Sequence, residues 1–247
     1  MSTDRNILLS AILGSFFVLP SHASPSNDRN FAFSIAGGPT WASPGQSQTV
    51  YTGDYYQKTG NIINNLATAE VFFGIYHQLN DTTQGQIGIE LGYSGNAYTS
   101  GTILQNNDPQ YTYYSYSYNM RQYRAAVKGK IVFDDLPVTS YVQPYIGGSL
   151  GLGFNHDYDF NTTQLNALAD TTTAFTPKTT YAFTYTIGGG LQIPIDPFWQ
   201  LGIGYELAGW GKNQLGNASS QIDNQNYGLE IQNIYTSTAL VTLSYTA

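Results

Sequence analysis

Gln86-Ile87-Gly88-Ile89-Glu90-Leu91-Gly92-Tyr93-Ser94 alternates without a break. Ile87, Ile89, Leu91 and Tyr93 fall on one side of an extended chain, and Gln86, Gly88, Glu90, Gly92 and Ser94 on the other. Successive side chains of a β-strand point to opposite faces, so a period of two marks a two-faced strand. The weaker face here is mostly glycine, serine and glutamine, which makes a poor soluble exterior.

The same pattern recurs outward from this segment. From Val142 to Phe154, Val142, Ile146, Leu150, Leu152 and Phe154 oppose Gln143, Tyr145, Gly147, Ser149, Gly151 and Gly153. Thr180 to Ile193 sets Tyr181, Phe183, Tyr185, Ile187 and Leu191 against Thr180, Ala182, Thr184, Thr186 and Gly188. Trp199, Leu201, Ile203, Tyr205 and Leu207 face away from Gln200, Gly202, Gly204, Glu206 and Ala208; Tyr235, Ala239, Val241, Leu243 and Tyr245 repeat the pattern near the C-terminus. Three less regular segments, Phe31–Trp41, Ala69–Leu79 and about Tyr111–Phe133, bring the expected strands to eight.

The connections alternate strictly between short and long. Asn80–Gln84, Asp134–Ser140 and Asp196–Phe198 are short; Ser43–Thr68, Gly95–Gln110, Asn155–Lys178 and Gly211–Glu230 are long. An all-β, eight-stranded, antiparallel up-and-down transmembrane β-barrel has this layout, with long extracellular loops, short periplasmic turns and both termini in the periplasm. A soluble ligand-binding barrel also alternates but turns its apolar face inward. Two features favour the membrane form. The small polar face fits a narrow interior, and aromatic residues (Phe31, Trp41, Tyr141, Trp199, Tyr235, Tyr245) stand near strand ends, where membrane barrels carry girdles.

Composition agrees. Charged residues are only 10% of the 247, aromatics are 15% with 21 Tyr, and there is no Cys. A net charge of −7 argues against a nucleic-acid partner, which calls for a basic field. No apolar run approaches the ~20 residues of a membrane-spanning helix. The start of the chain reads as an export signal over residues 1–23: an apolar run from Ile7 to Leu19, Pro20, then Ser21-His22-Ala23 with small residues where a signal peptidase reads. Residues 24–247 are the expected barrel domain.

The chain resembles the small outer-membrane barrels of the OmpA-like and opacity-type surface-protein families, over essentially all of its length after residue 23. Tyr141-Val-Gln-Pro-Tyr-Ile-Gly-Gly-Ser-Leu-Gly-Leu-Gly-Phe154 is similar to the Gly-rich strand that follows a periplasmic turn in those families. Ala239-Leu-Val-Thr-Leu-Ser-Tyr-Thr-Ala247 resembles the terminal segment read by the barrel-assembly machinery, with its aromatic residue two places early. The resemblance implies location in a Gram-negative outer membrane, in contact with lipid and lipopolysaccharide.

For function, three classes remain: a structural or surface-interaction barrel with an extracellular or host ligand, a small porin, and a lipid A-modifying enzyme. An enzyme is the weakest. Of three histidines, His22 lies in the signal, His77 low on the second strand, and His156 beside Asp157 and Asp159 at the start of a long loop. The His156 group reads as solvated loop, and no metal or cofactor is expected. Tyr111-Thr-Tyr-Tyr-Ser-Tyr-Ser-Tyr118 offers Tyr111, Tyr113, Tyr114, Tyr116 and Tyr118 as an adhesive surface, since Tyr combines apolar area with a polar tip. Inside, Glu90, Arg124, Lys128, Lys130 and Glu206 share the inward parity as an interior polar network, in which Glu90–Lys128, with Arg124 and Glu206 nearby at similar heights, is expected to form a polar plug.

Overall fold

The computed structural model describes residues 30–42, 47–49, 55–58, 64–104, 112–134, 141–165, 174–217 and 228–247. The expected signal segment lies outside them. Eight long strands run antiparallel in chain order: β1 (Phe31–Ala42), β2 (Asn64–Asn80), β3 (Thr83–Leu104), β4 (Thr112–Phe133), β5 (Gln143–Gln164), β6 (Lys178–Pro194), β7 (Trp199–Gly209) and β8 (Tyr235–Thr246). Each pairs with its neighbours, and β1 pairs with β8, so the ring closes. The seam is tied at its base by Phe31 N–H to Ala247 O (2.8 Å) and Ala247 N–H to Phe31 O (3.0 Å).

The apolar face of every strand points outward. Ile89, Ile187 and Ile203 are 55%, 63% and 61% exposed, and Phe73, Leu91, Val127, Leu150, Phe183 and Val241 complete a belt around the wall. In water such a belt would be untenable; against lipid it is the low-energy arrangement. Aromatic residues border it, with the row Tyr93–Tyr123–Phe154–Tyr181 paired strand to strand at its upper edge.

The strands differ greatly in length. β3, β4 and β5 each have 22 residues, β2 and β6 have 17, β1 and β8 have 12, and β7 has 11. Crossing a bilayer takes roughly 9–11 tilted residues, so about half of each long strand lies beyond the belt. This corrects two expected loops. Most of Gly95–Gln110 and the first ten residues of Asn155–Lys178 are strand, continuing the β3–β4 and β4–β5 ladders. Above lipid the outer face meets water, so the apolar alternation that identifies a strand disappears while main-chain pairing goes on. Bulges between Ser94 and Ala97 and opposite Ser117–Asn119 shift the inward parity along these extensions, and Asp159 at the second has a φ of 53°.

Candidate functional site

The lumen is filled in layers. At its centre Arg124 reaches three carboxylates: Glu70 at 2.5 Å, Glu90 at 2.7 Å and Glu206 at 3.0 Å. Lys128, two inward positions lower on the same strand, meets Glu70 at 2.9 Å and Glu206 at 3.5 Å, and also pairs with Glu90. Glu90 is fully buried and the other three acidic and guanidinium groups nearly so. Four strands supply these groups, and inward parity is what brings them together. Gly92 lets Arg124 lie flat across β3, because a Cβ there would stand 2.9 Å from both its Cγ and Nε.

The structure therefore brings Glu90, Arg124, Lys128 and Glu206 together and adds Glu70, which sequence reasoning missed. The signal was available: Val71, Phe73 and Ile75 face out, so Glu70 faces in. Lys130 is also inside but stands apart from the ion cluster. It lies lower, where its Nζ donates to Gln192 Oε1 (2.6 Å) and sits 4.3 Å from the Tyr145 ring centroid. There it joins an amide layer: Gln192 Nε2 donates to Gln143 Oε1 (3.1 Å) and Gln200 Oε1 (2.7 Å), and Gln143 Nε2 donates to Asp134 Oδ1 (3.0 Å). Between the amide layer and the ion cluster is a cavity lined by Ser34, Ala36, Phe72, Tyr145 and Thr242, among others.

Above the cluster, hydroxyls and amides continue the filling. Thr40 Oγ1 links Thr68 (2.7 Å) and Thr238 (2.9 Å), and Thr68 links Ser94 (2.9 Å). Asn155 Nδ2 donates to Trp210 O and Lys212 O, both at 2.9 Å, and Asn213 Nδ2 donates to Asp157 Oδ1 at 2.7 Å. These bonds draw the segment after β7 into the barrel, turning at Gly211 with φ 71°, where an L side chain is strained. Asp157, beyond the belt, has its pKa pushed up to about 7 by burial, against the opposing pull of Asn213, the Gln214 amide and Lys178.

The topmost layer is apolar. Tyr56, Leu66, Ile103, Tyr116, Tyr118, Met120, Phe175, Trp210, Leu215, Leu229, Ile231 and Ile234 form one buried cluster within the strand extensions. Tyr56 packs edge-on against Tyr116 (5.4 Å) and Phe175 (5.7 Å). This corrects the adhesive reading of the Tyr-rich stretch. Tyr116 and Tyr118 are each 3% exposed and Tyr114 is half-buried, because they keep the inward parity of Arg124 and Lys128. Tyr111 and the side chain of Tyr113 lie outside the described residues. His156 is likewise on strand rather than in a loop, with Nδ1 2.9 Å from Thr179 Oγ1.

Fold and interior together define a class: a closed eight-stranded up-and-down barrel, apolar outside and polar within, the build of a transmembrane β-barrel. No protein-family model matches the chain, and no curated protein matches it in sequence. Among solved structures it is similar to Neisserial surface protein A, at 12% identity and TM-score 0.44, covering 87% of this chain and 96% of that one. OprG from Pseudomonas aeruginosa aligns at 11% identity and TM-score 0.44, covering 89% of this chain and 97% of that one. The outer membrane protease OmpT from Escherichia coli aligns at 8% identity and TM-score 0.40, covering 92% of this chain and 99% of that one.

Proposed function

We propose that the protein is an integral outer-membrane barrel of a Gram-negative bacterium with a closed lumen, a structural and surface-interaction protein rather than a pore or an enzyme. The observation that carries this reading is the filling of the interior. An ion cluster at mid-height and an apolar core above it occupy the lumen in series. An eight-stranded barrel is only wide enough for side chains to fill. The short turns and the Phe31–Ala247 seam belong to the periplasmic end, and the tall walls of β3, β4 and β5 carry the extracellular connections to a ligand outside the cell.

Planar-bilayer recording of the purified, folded protein tests the closed lumen: it should conduct ions poorly. Large, steady conductance would replace this reading with a small channel, which the cavity beneath the ion cluster favours. Lipid A mass spectra from cells with and without the protein should be the same; a changed acylation pattern would make it an enzyme.

A further inference from the structure

Arg121 stands apart from the other charges of the wall. Among the described residues it is the one Lys or Arg on the outward face of the eight strands, since Arg124, Lys128, Lys130 and Lys178 turn inward. No ion pair holds it among those residues. Its guanidinium carbon lies 5.0 Å from the Tyr158 ring centroid and 5.9 Å from that of Tyr123. Its Nε is shielded and has no hydrogen-bond partner among the described residues. A shielded donor without an acceptor is costly, and here it is clamped in place by two rings.

The neighbours are of matching chemistry. His156 is the cross-strand partner of Arg121 and stacks on Tyr158, centroids 5.4 Å apart. With Nδ1 engaged by Thr179, its Nε2 is left for an outside group. Burial and the charge of Arg121 hold the imidazole pKa below its ordinary value. Asp159, at the bulge alongside, is exposed, joins no ion pair among the described residues and opposes an anion, so the phosphate must be held by direct contact with the guanidinium.

Height decides what can meet this patch. Arg121 and His156 sit two residues above Tyr123 and Phe154, the row that closes the apolar belt. Two strand residues rise about 7 Å along the strand, which reaches the headgroup level of the leaflet at the long-loop end. A planar guanidinium binds phosphate bidentately and strongly where water is scarce. We propose that Arg121, His156, Tyr123 and Tyr158 form a docking site for a lipid A phosphate of lipopolysaccharide, its acyl chains lying along Val127, Leu152 and Phe183. The site rests on the outer-membrane reading of the belt given above.

The test uses the folded protein in detergent and native mass spectrometry with four probes: bisphosphorylated lipid A, dephosphorylated lipid A, phosphatidylglycerol and inorganic phosphate. Bisphosphorylated lipid A should bind roughly tenfold tighter than dephosphorylated lipid A, as one charge-assisted pair implies, and tighter than phosphatidylglycerol, whose phosphodiester carries only a single charge; inorganic phosphate should not be retained. Arg121→Gln should lose that tenfold preference, while Lys212→Gln, at the exposed pair with Glu230, should keep it. In the wild type the His156 pKa, followed by NMR, should rise on adding bisphosphorylated lipid A; this readout needs no variant to fold. Equal binding of the two lipid A forms, equal binding of phosphatidylglycerol, retention of phosphate alone, an unmoved His156 or an unaffected Arg121→Gln would each overturn the site. Such a failure leaves the membrane reading intact as long as the protein migrates heat-modifiably from outer membranes; loss of that behaviour would remove the membrane reading itself.

Discussion

Arg124 Nη2 lies 2.5 Å from Glu70 Oε1, although the two residues belong to strands that do not touch and are 54 positions apart in the chain. The guanidinium spans β3 to get there, crossing above Gly92 and bonding Glu90 on the way. Three carboxylates thus surround two cations, leaving a formal excess of one negative charge in the cluster.

That imbalance separates the effects of removing either sign. Lys128→Ala leaves Glu70, Glu90 and Glu206 around Arg124 alone and should cost about 3–5 kcal/mol, the usual penalty for orphaning a buried charge. Glu206→Gln, which removes the surplus charge at the most distant contacts, should cost less than about 1 kcal/mol. Urea unfolding in lipid, followed by loss of heat-modifiable migration, measures both. An equal loss in the two variants would show that the cluster is not charge-limited.

Gly92→Ala should also weaken the barrel, by about 1–3 kcal/mol, because the added methyl displaces the Arg124 side chain. Gly129→Ala is the control, since a Cβ there meets only a backbone oxygen at 4.0 Å. Parallel unfolding curves in which the two variants are indistinguishable would refute the close fit.

Asp157 makes the upper lumen sensitive to pH. Its folded pKa of about 7 lies above the ordinary carboxylate value of 3.8, so the fold disfavours its ionised form. The penalty is absent below pH 3.8, grows as pH rises towards 7 and is constant above that. The segment 210–217, tied to it through Asn213, should therefore resist proteolysis better at pH 5 than at pH 8. Asp157→Asn should remove the difference and protect the segment at pH 8. Equal cleavage of the wild type at both values would contradict this.

Gly216 is a poor place for an insertion, although it belongs to a long, polar connection. Its N–H donates to Thr176 O at 2.8 Å, and a Cβ there would stand 2.3 Å from Thr176 Oγ1. An epitope tag after Gly216 should dislodge the apolar core and lower the unfolding midpoint. Tags near Thr59, Asn106 and Asn166, which lie outside the described residues, are expected from the sequence to be reachable on intact cells. A Gly216 tag that is exposed and leaves stability unchanged would mean the segment does not dock.

The fold was legible because lipid reverses the usual rule on one face only, leaving strong period-two runs such as Gln86–Ser94 and Trp199–Ala208. The ion cluster was legible for the same reason, as parity placed Glu90, Arg124, Lys128 and Glu206 inside. Two things escaped. Beyond the belt both faces are polar, so the upper halves of β3 and β5 looked like loops. The inward parity of Lys128 and Arg124 was not carried on to Tyr118, Tyr116 and Tyr114, which would have placed these rings inside. The apolar core above could not be read at all. Leu215, Leu229, Ile231 and Ile234 fall singly in and around the two-residue strands Asn213–Gln214 and Glu230–Ile231, too short to show a period, and only tertiary contact with the tyrosines unites them.

Strand length around the ring falls from 22 residues at β3–β5 through 17 on either flank to 11 and 12 at β7, β8 and β1. The rim is consequently oblique, a parapet on one side and a sill on the other, with the segment after β7 stopping the mouth at the sill. A barrel of this shape has a front and a back in the plane of the membrane. On the proposed outer-membrane orientation, a large partner would meet the parapet first and be tipped towards the low side, so that unequal walls would set an orientation a symmetric cylinder leaves to chance.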